Sequence, residues 1–113
     1  MSDGYYHRQD LARFGEMGTF SPELMEKFFA YYGAATGTDG ALSKREKSLI
    51  ALALAHAKQC PYCIDAYTTA CLESGASPEQ MTEAVHVAAA MEAGMTLVHG
   101  VQMHNGLKDK GIL

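Results

Sequence analysis

The chain is expected to be all-α, a helical bundle that assembles with copies of itself. Three observations carry that reading. Ala, Leu, Met, Glu and Lys dominate, and Val, Ile and Thr never alternate with polar residues over a strand's length. Capping signatures punctuate the chain, at Ser21-Pro22-Glu23, Ser43-Lys44-Arg45-Glu46 and Ser77-Pro78-Glu79-Gln80. One helical stretch, Leu49 to Ala55, is apolar on nearly every face. A small domain rarely surrounds such a helix alone, so subunit contacts are expected.

The elements follow in order. Residues 1–20 are read as an arm over the core, with a short helix around Asp10 to Phe14. Ser21 before Pro22 caps a helix that runs to about Tyr32, since proline suits the first helical position. Gly33, Gly37 and Gly40 break the next stretch into a loop. Ser43 and Glu46 form a capping box that opens a helix reaching toward Lys58. Pro61 disfavours helix at the residue before it, so Cys60 is read as the N-cap of a new helix with Pro61 first. That helix ends near Ser74-Gly75, where glycine suits the C-terminus. Ser77 and Gln80 open a last helix toward Asn105-Gly106, with Gly94 a candidate break. Its small residues (Ala84, Ala88, Ala89, Ala93) would allow close helix packing, and Met81, Met91, Met95 and Met103 are read as gap-filling core.

Length and composition bound the function. With 113 residues and 48% hydrophobic content, the chain is read as one domain, residues 1–113, able to bury a core without staples. A net charge of −4 with no Lys/Arg cluster argues against a nucleic-acid surface. No unbroken apolar run reaches the roughly 18 residues of a membrane span, and the N-terminus lacks a signal pattern. The expected compartment is the cytoplasm, where thiols are kept reduced. Three cysteines, an odd number, fit a redox or metal pair plus a spare better than a structural framework.

The chemistry concentrates at Cys60-Pro61-Tyr62-Cys63. Two thiols one turn apart at a helix start can close a disulfide and reopen it. Free N–H groups and the macrodipole there favour a thiolate, so a lowered thiol pKa is expected. Helical spacing would align His56, Cys60, Cys63 and Tyr67, with the first relation disturbed by Pro61. His56 could relay the thiol proton, and Glu46 could assist if the fold brings its helix start close. Plainer roles stand beside these. Glu46 completes its capping box, His56 could satisfy helix C-terminal carbonyls, and Tyr67 could be core. Cys71 reads as a small buried hydrophobe, and His86, His99 and His104 lack metal-ligand spacing. His56, Cys60 and Cys63 could also be three zinc ligands, but a fourth would have to come from Tyr67, Glu46 or another subunit.

The stretch Leu42–Ala66, with Ser43-Lys44-Arg45-Glu46 and Cys60-Pro61-Tyr62-Cys63, resembles the core of the AhpD-like, carboxymuconolactone decarboxylase family. Glu73–Ser77 and Glu83–Ala90 are similar to the same family, so the likeness covers most of residues 20 to 105. The resemblance implies a helical fold assembling as homo-trimers or hexamers, and thiol-dependent alkylhydroperoxidase or disulfide-exchange activity. It implies Cys63 as the thiol that attacks peroxide and Cys60 as the resolving one; the helix-end reading alone favours Cys60 as the thiolate. No cofactor is expected; an external dithiol would be the electron donor. The peroxidases of the family carry histidine where this chain has Tyr67 and glutamate where it has Ser48, so His56 and Glu46 are the candidate replacements for that proton relay. The Cys-Pro-Tyr-Cys-Ile-Asp-Ala-Tyr variant also resembles a subgroup associated with arsenosugar biosynthesis. Two other functions stand as alternatives: a decarboxylase-like lyase, which needs no thiol pair, and a module holding metal or arsenite through the soft vicinal thiols.

Overall fold

The computed structural model describes residues 4–113; the first three residues of the expected arm lie outside them. All regular structure among these residues is helical. A 3-10 segment spans Arg8–Gly18, followed by α1 (Pro22–Thr36), α2 (Lys44–Ala57), α3 (Pro61–Glu73) and α4 (Pro78–Asp109).

The capping signatures hold where they were read. Ser43 Oγ accepts from the Glu46 N–H and Glu46 Oε1 accepts from the Ser43 N–H, closing the box at α2. Ser77 and Gln80 repeat this at α4. Pro22, Pro61 and Pro78 each sit at a helix start, where their missing N–H costs nothing.

Four boundaries differ from the sequence reading. The 3-10 segment is longer than the short helix expected at Asp10 to Phe14. Its Phe14 ring packs on Phe28 and Phe29, with centroids 5.8 and 5.1 Å apart, so tertiary contact holds it against α1. Helix α1 continues through Gly33 to Thr36, because one glycine costs only about 1 kcal/mol and good helix formers follow. Helix α4 passes Gly94 unbroken and ends at Asp109 for the same reason. Residues 33–36 are therefore helix, and the loop before α2 begins at Gly37.

Two tight turns organise the centre. After α2, Gln59 adopts a left-handed φ of 54°. Its N–H donates to the His56 carbonyl at 3.1 Å, and the Cys60 N–H donates to the Ala55 carbonyl at 2.9 Å. This is a Schellman closure with glutamine where glycine is usual. After α3, Gly75 at φ 90° makes the equivalent closure, with the Ala76 N–H on the Cys71 carbonyl. Each turn delivers the chain directly into the N-cap of the next helix, at Cys60 and Ser77.

The core sits between α2, α3 and the first turns of α4. Leu52 and Cys71 are buried together with Ala76, and Leu49, Tyr67 and Met81 pack around them. Ser48, where the peroxidase pattern has glutamate, is also buried. Cys71 thus has the buried, apolar role read for it.

Beyond this core the chain is open. Its radius of gyration is 19.2 Å, against about 13 Å for a compact chain of this length. Helix α4 alone, at 32 residues, reaches about 48 Å at 1.5 Å per residue. Met91, Met95 and Met103 on it are exposed, so they are not core fillers within one chain. Likewise α2 is not covered on all sides: Ile50 and Leu54 are more than half exposed. Glu92, Thr96 and His99 interrupt any unbroken apolar run in α4, yet an 18-residue window of it averages a mean hydropathy of 1.2. By length and composition, then, this helix could cross a bilayer, which the count of unbroken apolar residues did not reveal.

Candidate active site

Cys60 ends one helix closure and begins the next helix. Its extended backbone (φ −101°, ψ 100°) is set by the Gln59 turn behind it and by Pro61 ahead. In that position its sulfur accepts the Cys63 N–H at 3.4 Å. The free amide at the start of α3 therefore serves Cys60. The two sulfurs are 2.7 Å apart, and both thiols are free. A disulfide spans about 2.05 Å, so the pair lies within about 0.7 Å of bonding distance.

The expected lowering of the thiol pKa is not what the surroundings produce at Cys63. Burial, and then the adjacent Cys60 sulfur, push its thiol up to about 11. The physical reason is that the helix-end amide points at the neighbouring sulfur, while Cys63 itself is half-buried against apolar walls.

A cavity of about 450 Å³ opens onto both sulfurs. From α3 come Tyr62, Ala66 and Tyr67, from α1 Phe29 and Tyr32, and from the 3-10 segment Leu11, Phe14 and Met17. Asp10 and Arg13 supply the charged part of the wall; Arg13 is paired with both Asp10 and Glu16. That pairing leaves the interior of the cavity largely apolar.

Inside it the Tyr32 and Tyr67 hydroxyls share a hydrogen bond. Burial raises the Tyr32 pKa, with the Tyr67 hydroxyl and the nearby sulfurs adding to it, so this phenol keeps its proton. Cys63 and Tyr67 are four residues apart on α3, which stacks them on one face.

The arm closes over the start of α3. The Tyr6 ring meets Tyr62 edge-on at 4.7 Å, the Tyr6 hydroxyl donates to Asp65, and Arg8 Nε reaches the same carboxylate at 3.2 Å. The hydrogen bond from Tyr6, with Arg8 adding to it, holds the Asp65 carboxyl below its usual range.

Of the five residues singled out from the sequence, the fold brings three together: Cys60, Cys63 and Tyr67. His56 and Glu46 do not line this cavity. His56 Nδ1 faces the Leu52 carbonyl at 2.9 Å, the plainer helix-end role. Glu46 is held by its capping box at the far end of α2, about 15 Å along the axis from His56 at 1.5 Å per residue. Tyr32 and Gln59 escaped the sequence reading. No spacing rule links Tyr32 to a residue 35 positions later. The Gln59 turn had a signal in Pro61, which required the preceding helix to stop. Among the described residues, no group of three or more His, Cys, Asp or Glu side chains is arranged to hold a metal ion.

An all-helical fold with a free dithiol at a helix start, facing an apolar cavity, defines the class. Residues 22–103 match the model of the carboxymuconolactone decarboxylase family, and the chain belongs to that family. It is 41% identical over 88 residues to uncharacterized protein 4 in the cox locus of Paracoccus denitrificans, covering 78% of each chain. An uncharacterized protein of Cupriavidus necator is 37% identical over 82 residues, 73% of this chain and 72% of that one. Among solved structures, the apo form of a carboxymuconolactone decarboxylase family protein from Legionella pneumophila superposes with a TM-score of 0.68 at 33% identity, covering 90% of this chain and 91% of that one.

Proposed function

We propose that the protein is a thiol-dependent hydroperoxide reductase of this family. The observation that carries the reading is the Cys60–Cys63 pair, two free thiols with sulfurs 2.7 Å apart at the wall of an apolar cavity. Family membership supports the same reading, since the family includes AhpD-like members.

Cys63, as thiolate, attacks the outer oxygen of a hydroperoxide. The O–O bond breaks, Cys63 becomes a sulfenic acid, and the alkoxide leaves as the alcohol after taking a proton. Cys60 then attacks the Cys63 sulfur; the S–S bond forms, the S–O bond breaks, and water departs. An external dithiol reduces the disulfide by thiol exchange and carries away the two oxidising equivalents. Cys63 is assigned the attack because it shares a helix face with Tyr67 and family resemblance gives the second thiol that role. The helix-end amide on the Cys60 sulfur stabilises the thiolate with which Cys60 closes the disulfide.

The natural setting of this chemistry is the cytoplasm, without cofactor or resident metal. The exposed apolar side chains of α4 would be covered by further copies of the chain in a trimer or hexamer. Hydroperoxide consumption coupled to a dithiol donor tests the proposal. Turnover that disappears in Cys63→Ser supports it; a Cys63→Ser protein as active as the parent contradicts it. Decarboxylation of a muconolactone that survives loss of both thiols would instead favour the lyase reading.

A further inference from the structure

The reaction written above needs a proton at the leaving alkoxide, and the residues expected to relay it stand elsewhere. His56 faces a carbonyl of its own helix, and Glu46 is held in a capping box at the opposite end of α2. What the cavity does hold beside the sulfurs is a pair of phenols. Tyr32 arrives from α1 and Tyr67 from α3, and their hydroxyls are hydrogen-bonded to each other. Both line the cavity that exposes Cys60 and Cys63.

We propose that the Tyr32–Tyr67 hydroxyl pair is the proton shuttle of the thiol reaction, protonating the leaving oxygen as the O–O bond breaks. The inference rests on the hydroperoxide reading. A phenol oxygen has lone pairs to accept one proton while its O–H gives up another. The Cys63 thiol gives its proton to solvent as the thiolate forms; a proton of the hydroxyl pair passes to the departing alkoxide, and the pair regains a proton from solvent. Cys63–SH and ROOH thus become Cys63–SOH and ROH, and neither tyrosine changes its net protonation. The burial that raises the Tyr32 pKa keeps this donor protonated across the neutral range. Each phenol holds the other by its hydrogen bond, so removing either hydroxyl breaks the shuttle.

The test compares the parent with Tyr32→Phe, Tyr67→Phe and the double variant, each reduced and mixed with hydroperoxide in single turnover. Phenylalanine keeps the ring and removes only the oxygen; circular dichroism checks the fold. Each single variant is expected to slow oxidation of Cys63 by cumene hydroperoxide about 10²-fold, the lower range of general acid catalysis. The double variant should be no slower than the worse single one, because the pair acts as a unit. The loss should shrink with a peracid, whose carboxylate leaves without needing a proton. Reaction of the same thiols with an aromatic disulfide should be unchanged, for the same reason. Variants that react with cumene hydroperoxide as fast as the parent overturn the shuttle and leave the hydroperoxide reading intact. A loss equal for alkyl hydroperoxide, peracid and disulfide also overturns it, since that pattern marks damage to packing. A parent that oxidises with the disulfide but with no peroxide contradicts the hydroperoxide reading itself, and the shuttle with it.

Discussion

The inner and outer halves of this molecule are made of the same kind of side chain and live in opposite surroundings. Between α2, α3 and the start of α4, Leu52, Cys71 and Ala76 are closed off from solvent. Farther along α4, Met91, Leu97, Val98 and Met103 are well exposed, Leu97 to 77%. Hydrophobic content therefore does not distinguish the part of the sequence that folds on itself from the part that does not. The thiol pair belongs to the inner half, mounted on a turn whose two ends are both tied down. The outer half leaves its apolar side chains in solvent.

Substitutions can break that comparison. Leu52→Ala should have the largest effect on stability, about 2–5 kcal/mol in urea unfolding, because it opens a cavity in a closed core. Met95→Ala, by contrast, should leave unfolding of the isolated chain unchanged. Met95→Asp should instead shift the sedimentation coefficient toward the single chain. A Met95→Ala protein destabilised as much as Leu52→Ala, at a dilution where only single chains exist, would erase the distinction. Next in size is the cap between the halves. Ser77→Ala removes the acceptor for the Gln80 N–H at the start of α4 and should cost about 1 kcal/mol. The smallest effect has the opposite sign. Gln59→Gly relieves a left-handed glutamine and should stabilise by up to about 1 kcal/mol, read as a higher unfolding midpoint.

The pH dependence sharpens what is special about the inner half. A thiol with its pKa raised to about 11 is almost wholly protonated at neutral pH. Its thiolate fraction rises about tenfold per pH unit below that value. The rate of Cys63 oxidation by hydroperoxide should therefore climb steadily from pH 7 to 10. The same shift bears on stability. A group that holds its proton more tightly when folded contributes stability that is present at neutral pH and falls as pH rises from the unfolded thiol value toward about 11. A rate flat across pH 7 to 10 would contradict the raised pKa.

Much of this was legible in the residues, and the limits are physical. Capping boxes and N1 prolines are local devices, so Ser43, Cys60 and Ser77 could be placed as helix starts from spacing alone. Gly33 and Gly94 misled because a glycine's helix cost is small enough for neighbours to override. At the site, Cys60 caps the helix that carries Cys63 and Tyr67, so local spacing brings the three together. Tyr32 is joined to them only by the packing of α1, and Phe14 and Met17 only by the 3-10 segment folded onto it. The raised Cys63 pKa runs against the helix-end expectation for a related reason. The helix-end effect is visible in sequence, but which sulfur receives the amide and how deeply the other is buried are not.

The central claim is that Cys63 takes oxygen from a hydroperoxide and Cys60 resolves it, and intact-mass measurement after one equivalent of cumene hydroperoxide tests it most directly. The parent should lose the mass of two hydrogens as the disulfide closes. Cys60→Ser should gain one oxygen at Cys63, and Cys63→Ser should show neither change. A Cys63→Ser protein that is oxidised as readily as the parent, or a Cys60→Ser protein whose Cys63 stays a thiol, would contradict the account.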